Sequence, residues 1–204
     1  MRKITVDGED SLIKKHLIAL VQRHFPYLFS SSAKALFALR SEEIEIKEIS
    51  LTLDMFSRSL HASYTPRLAH FLWCSSLNCF LVDDEGVIFK HSAITQSTLV
   101  IPVDDLSFEG VAVGKKIPPP FLETLWEIEK DMKDKNLAIE RFIIQNPFSL
   151  TVRITGAPEI RLNPKTSAST QLANFSQFFS SLPSEKFLSL EYVDLRVKNR
   201  IYYK

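Results

Sequence analysis

Glycine is scarce in this 204-residue chain, with five in all, and none of them falls in a G-x-G-x-x-G, P-loop or G-x-S-x-G run. Phosphate cradling and the nucleophile elbow of the α/β-hydrolases are therefore excluded, because both need glycine where the backbone turns tightly or approaches a ligand. An H-E-x-x-H zinc signature is also missing. Cysteine occurs only at positions 74 and 79, and a zinc site would need more ligands near them. The two flank Ser75-Ser76-Leu77-Asn78, so they are either a cross-strand disulfide in a hairpin or two small buried hydrophobes, and the sequence leaves both open. Excess charge is lacking too. Twenty-five basic and 24 acidic residues leave a formal net charge of +1, too weak a field to draw the protein to nucleic acid. No stretch approaches the roughly 20 apolar residues of a membrane-spanning helix, and Met1-Arg2-Lys3-Ile4 does not begin a signal peptide.

What is present is a well-mixed globular composition, 45% apolar, punctuated by turn residues. Ile4-Thr5-Val6 alternates and is closed by Asp7-Gly8, which predicts a strand and a turn. Asp10 or Ser11 then caps a helix with Ile13, Leu17, Leu20 and Val21 on one face, ended by Pro26. Ser30 to Ser32 caps a second, shorter helix through Leu36 and Leu39 to about Glu42. From Ile46 the apolar period changes to two, giving a strand through Met55, a turn near Ser57-Arg58, and another strand through Leu60, Ala62 and Tyr64. The order is β-α-α-β-β, and Thr65-Pro66 is the natural boundary, since proline cannot donate to a central ladder. The chain thus divides into domains 1–66 and 67–204.

The second domain opens with a three-stranded meander, Ala69 to Trp73, Cys79 to Val82 and Val87 to Phe89, with Asp83-Asp84-Glu85-Gly86 as an acidic turn. A calcium loop would need alternating oxygen ligands and a distal glutamate, which are missing there. A strand over 98–103 and an extended connector, Lys115 to Pro120, lead to a helix striped by Leu122, Leu125, Ile128 and Met132. Phe142 to Ile144, Phe148 to Ile154 and Glu159 to Leu162 predict consecutive antiparallel strands. A helix over 169–182 follows and Pro183 closes it. Leu188, Leu190 and Tyr192 lead through Val193 to Val197, a Lys198-Asn199 turn and a closing strand, Arg200 to Tyr203. The fold class is α+β: a small helix-covered sheet, then a larger mixed β domain with antiparallel sheet and flanking helices.

No catalytic constellation stands out. His70 and Cys74 share strand parity, which would bring a base beside a thiol, but parity alone accounts for that spacing. Acidic residues are scattered over turns and helix surfaces, and no cofactor or metal is implied. The remaining feature is the terminal strand, where Tyr202 and Tyr203 lie between Arg200 and Lys204, residue types enriched at interfaces.

Three segments together resemble the FtsQ/DivIB family of bacterial cell-division proteins. Ile4 to Gly8 with its following helix is similar to the opening of a POTRA domain. Leu81-Val82-Asp83-Asp84-Glu85-Gly86-Val87-Ile88-Phe89 is similar to the family's "lvD-x-x-G-x-v-F" meander, and Tyr192-Val193-Asp194-Leu195-Arg196 resembles its C-terminal signature. Tyr64-Thr65-Pro66-Arg67 reverses the order of Arg and Pro usual between the family's domains. The resemblance implies a non-enzymatic scaffold at the division septum, on the extracytoplasmic side of the cytoplasmic membrane. It would be anchored by an N-terminal helix upstream of this sequence and would recruit FtsB/FtsL-like bitopic partners. Such relatives receive a partner strand at the last strand's edge, which carries over to Val197, Lys198, Asn199, Arg200, Ile201, Tyr202 and Tyr203. Two other readings stand beside it: a POTRA-bearing outer-membrane assembly or secretion factor, and a cell-wall enzyme using His70 or the Asp83-Asp84-Glu85 cluster.

Overall fold

The computed structural model describes residues 3–7, 14–15, 18–19, 22, 44–54, 59–75, 78–92, 100–107 and 110–204. It divides into two compact units, Met1–Leu68 and Ala69–Lys204. In the first, strands β1 (Lys3–Asp7), β2 (Ile46–Asp54) and β3 (Ser59–Pro66) form a sheet of order β1-β3-β2, with β1 parallel and β2 antiparallel to the central β3. Pro66 is the last residue of β3, where its missing N–H interrupts nothing further along the ladder. Val6, Ile46, Ala62 and Tyr64 are the buried core, with Ile18, Ile49 and Leu51 packed against them. Lys14, Lys15, Ile18, Ala19 and Gln22 are helical. The rest of the first expected helix, all of the second and the turn at Ser57-Arg58 lie outside the described residues.

Among the described residues, the second unit forms a nine-stranded mixed sheet. Its strands are β4 (Phe71–Ser75), β5 (Asn78–Val82), β6 (Ile88–Ser92), β7 (Ile101–Asp105), β8 (Ile139–Asn146), β9 (Ser149–Ile154), β10 (Glu159–Leu162), β11 (Tyr192–Asp194) and β12 (Tyr202–Tyr203). They lie in the order β12-β11-β10-β9-β8-β7-β4-β5-β6. The meander β4-β5-β6 and the run β8-β9-β10 are antiparallel. Three pairings, β4 with β7, β7 with β8 and β10 with β11, are parallel. Two of them follow from helical crossovers, which return the chain to the same end of the sheet.

The first crossover helix, α1, spans Pro119–Asp134. Here the expected extended connector is corrected: Pro119 and Pro120 are the first two helical residues, where a missing N–H costs no bond and the fixed φ suits the helix. Asn136, at φ 56°, ends α1 with a Schellman arrangement, in which Asn136 N–H donates to Lys133 O and Leu137 N–H to Met132 O. Helix α2 (Ala168–Ser181) starts at Ser167, whose hydroxyl accepts from Thr170 N–H at 3.3 Å. Pro183 does close α2 but also opens a short helix α3 (Ser184–Leu188). Leu188, expected in the extended run, is therefore helical, and the buried Phe187 beside it packs against Phe175 and Phe179 of α2.

Helices α1, α2 and α3 cover one face of the large sheet. Leu122, Leu125, Ile128, Met132, Leu172, Phe175 and Phe187 pack on Phe71, Trp73, Phe80, Val103, Phe142, Leu150, Val152, Ile160 and Val193. On this face the Trp73 indole N–H donates to the buried Asp105 carboxylate at 3.0 Å, which satisfies both groups away from water. The other face carries charge, with Arg141 paired to Asp104 at 2.9 Å and Arg153 to Glu159 at 3.1 Å. Alternating residues on these strands thus separate an apolar, helix-covered side from a mixed one, where Leu72 and Thr151 are also buried.

Candidate functional site

The two ends of the sheet's strand order are its rims, and β12 forms one of them. Its inner side pairs with β11 in antiparallel register, Tyr203 opposite Val193 and Tyr202 opposite Asp194. The pairing extends to Lys204, whose N–H donates to Tyr192 O at 3.3 Å and whose carbonyl accepts from Glu191 N–H at 2.5 Å. In an antiparallel strand successive residues aim their backbone groups to opposite sides. With Tyr202 and Lys204 directed inward, Ile201 and Tyr203 direct theirs outward, and among the described residues no strand lies beyond β12.

The approach to this rim is a tight turn, Val197 to Arg200, closed by Arg200 N–H to Val197 O at 3.1 Å. Asn199 sits in the left-handed region at φ 57°, a conformation asparagine tolerates better than most residues. The closing strand is accordingly shorter than expected: Arg200 belongs to the turn, Ile201 leads in, and only Tyr202 and Tyr203 are strand. Among the expected binding residues, Val197, Lys198, Asn199, Arg200, Tyr202 and Tyr203 are exposed, while Ile201 is half-buried and packs against the core. Tyr202 and Tyr203 are 47% and 52% exposed, so two aromatic rings flank the outward backbone. The Tyr203 ring leans on Phe178 of α2 at 5.0 Å between centroids, on the helix-covered face, and Arg200 Nη1 lies 3.5 Å from the Tyr202 hydroxyl.

The turn rests on Asp194 and Arg196. The Arg196 guanidinium donates to both Asp194 oxygens, at 3.0 and 2.5 Å, and Arg196 N–H donates to the same carboxylate. Burial pushes the Asp194 carboxyl up, but the hydrogen bonds and charge of Arg196 outweigh it and leave the group below its ordinary value of 3.8. The same hydrogen bond pushes Arg196 further up, so the pair stays charged at neutral pH. Beside it lies a cavity of about 320 Å³ with Leu195 in its wall and Asn174, Arg196, Lys198 and Asn199 among its polar lining. Phe178 and Asn174 were not expected at the site. Both lie on α2, and nothing in their own segment signals proximity to the last strand.

The other candidates resolve differently. Cys74 and Cys79 are directly opposite in the β4–β5 hairpin and form a disulfide, so Cys74 has no thiol to serve as a nucleophile. His70 Nε2 is 2.7 Å from a Glu129 carboxylate oxygen and its ring stacks near Trp126 at 4.1 Å. Asp83 is fully buried, and its Oδ1 accepts from Glu85 N–H at 3.0 Å and Val87 N–H at 2.8 Å, which makes it the organiser of the acidic turn. Among the described residues no group of three or more His, Cys, Asp or Glu is placed to hold a metal ion.

The family model for the cell division protein FtsQ/DivIB, C-terminal domain, matches residues 71–196, from the first strand of the large sheet to the arginine that braces the final turn. The chain belongs to the FtsQ/DivIB family. Its role is therefore in cell division, within a family of non-enzymatic proteins that act at the septum together with other division proteins. No protein of curated function matches the chain in sequence. The FtsQ/DivIB match ends one residue before Val197 and so covers the strands that carry the rim.

Proposed function

We propose that this FtsQ/DivIB chain is a non-enzymatic divisome scaffold that captures the extracytoplasmic segment of an FtsB/FtsL-like bitopic protein. The partner adds as a strand to the outer side of β12, and the chain thereby helps regulate septal peptidoglycan synthesis. The observation that carries this reading is the one-sided pairing of β12, which leaves the outward backbone of Ile201 and Tyr203 as the template for another strand. Main-chain bonds supply affinity and the flanking tyrosines supply the aromatic contacts typical of an interface core.

The Cys74–Cys79 disulfide supports placement on the extracytoplasmic side of the bacterial cytoplasmic membrane, because such bonds persist in oxidising compartments and are rare in the cytosol. A POTRA-like assignment for residues 1–66, with the β domain from 67, is supported by the β1-β3-β2 order and by helical residues between β1 and β2. The test is a titration of the partner's extracytoplasmic segment against the wild type, Tyr202→Asp and Ile201→Pro. Both variants should bind more weakly while their circular dichroism is unchanged. Unaltered affinity in both would remove this site.

A further inference from the structure

The two half-cystines are not equivalent. Cys79 is 2% exposed, whereas Cys74 is only partly buried, although they face one another across the same hairpin. Their strands need no covalent tie to lie side by side. β4 is held from its far side by parallel pairing to β7, with Cys74 opposite Asp104, and β5 is held by β6, with Cys79 opposite Ser92. Register therefore places the two cysteines directly opposite one another, at the roughly 4.5–5.5 Å Cα separation of an antiparallel pair, before any bond forms. The reduced chain is expected to fold with both thiols already in position, one reachable and one covered.

We infer that the pair is a substrate site for a disulfide-bearing thiol oxidant, a protein or small-molecule disulfide, and that Cys74 is the residue that attacks it first. The Cys74 thiol loses its proton and its thiolate displaces one sulfur of the carrier's disulfide, giving a Cys74–carrier mixed disulfide and one carrier thiolate. The Cys79 thiolate, already opposite, then attacks Cys74 Sγ and releases the second carrier thiolate. Two protons and two electrons pass from the cysteines to the carrier, which leaves as a dithiol or two thiols. Thiolate access decides which sulfur enters such an exchange first. The order is set by burial in the folded hairpin and is independent of whether β12 binds a partner.

Oxidised glutathione is the probe. With the 204-residue chain in native buffer, Cys79→Ser should acquire a glutathione adduct at Cys74 roughly tenfold or more faster than Cys74→Ser acquires one at Cys79. In about 8 M urea, which unfolds most domains, the two rates should converge. Equal native rates, or a faster Cys79, would overturn the inference. Because either serine variant could fold poorly, the reduced wild type supplies the second reading. Limited alkylation followed by peptide mapping should find the first label on Cys74, and a first label on Cys79 or an even split would overturn the inference as well.

Discussion

Replacing Tyr203 with proline isolates the outward backbone of β12 from its side chains. Tyr203 lies opposite Val193 with its N–H directed away from β11, while the inward bonds are made by its neighbours, including Lys204 N–H to Tyr192 O. Proline removes that one outward donor, suits an edge strand, and leaves the inner ladder unbroken. It also removes the ring that rests on Phe178, so Tyr203→Ala is the necessary control. A net hydrogen bond contributes about 0.5–1.5 kcal/mol, so Tyr203→Pro should bind the partner segment roughly 2- to 13-fold more weakly than Tyr203→Ala. Isothermal titration or fluorescence anisotropy with the partner's extracytoplasmic segment reads the ratio. Equal affinity of the two variants, with both folded, would mean that no partner strand bonds to this backbone.

Three further outcomes follow from the scaffold. Gly86 sits at φ 76° in the acidic turn, and an added Cβ would meet Leu122 Cδ2 at 2.8 Å, so Gly86→Ala should lose about 1–3 kcal/mol of unfolding free energy in a urea titration. Reducing the Cys74–Cys79 bond, which closes a short loop, should lower stability by about 2 kcal/mol and the calorimetric melting temperature by roughly 4–8 °C. Asp194 is held below its ordinary value of 3.8, so the stability it contributes is present above that pH and is lost as pH falls through the lower folded value. Melting temperature against pH should therefore drop at the acid end below about 4 in the wild type and drop less in Asp194→Asn.

Much of the second unit was legible because its signals are local. The α1 stripe of Leu122, Leu125, Ile128 and Met132, the α2 stripe of Leu172 and Phe175 and the Asp83–Gly86 turn each act within a few residues. Pairing direction was less legible. The parallel contacts of β4 with β7 and of β10 with β11 depend on crossovers far apart in sequence, and alternation on a strand does not say which strand lies beside it. The three consecutive prolines misled for a physical reason: the preference for extended conformation competes with the suitability of proline for a helix's first turn, and burial of Leu122 and Leu125 decides for the helix. Leu188 and Leu190, an apolar pair two apart, mimic strand parity, although Phe187 anchors that segment as a helical turn. At the candidate site, the terminal tyrosines and the turn were visible in the sequence. The support from Phe178 of α2 was not, since it is a contact between residues 25 positions apart in sequence.

Backbone amide exchange, followed residue by residue by NMR with and without the partner segment, tests the claim of strand capture most directly. The account predicts that Ile201 and Tyr203 exchange more slowly in the complex, while Tyr202 and Lys204, already bonded to β11, change little. Partner binding that leaves Ile201 and Tyr203 unprotected and instead slows amides elsewhere would contradict it.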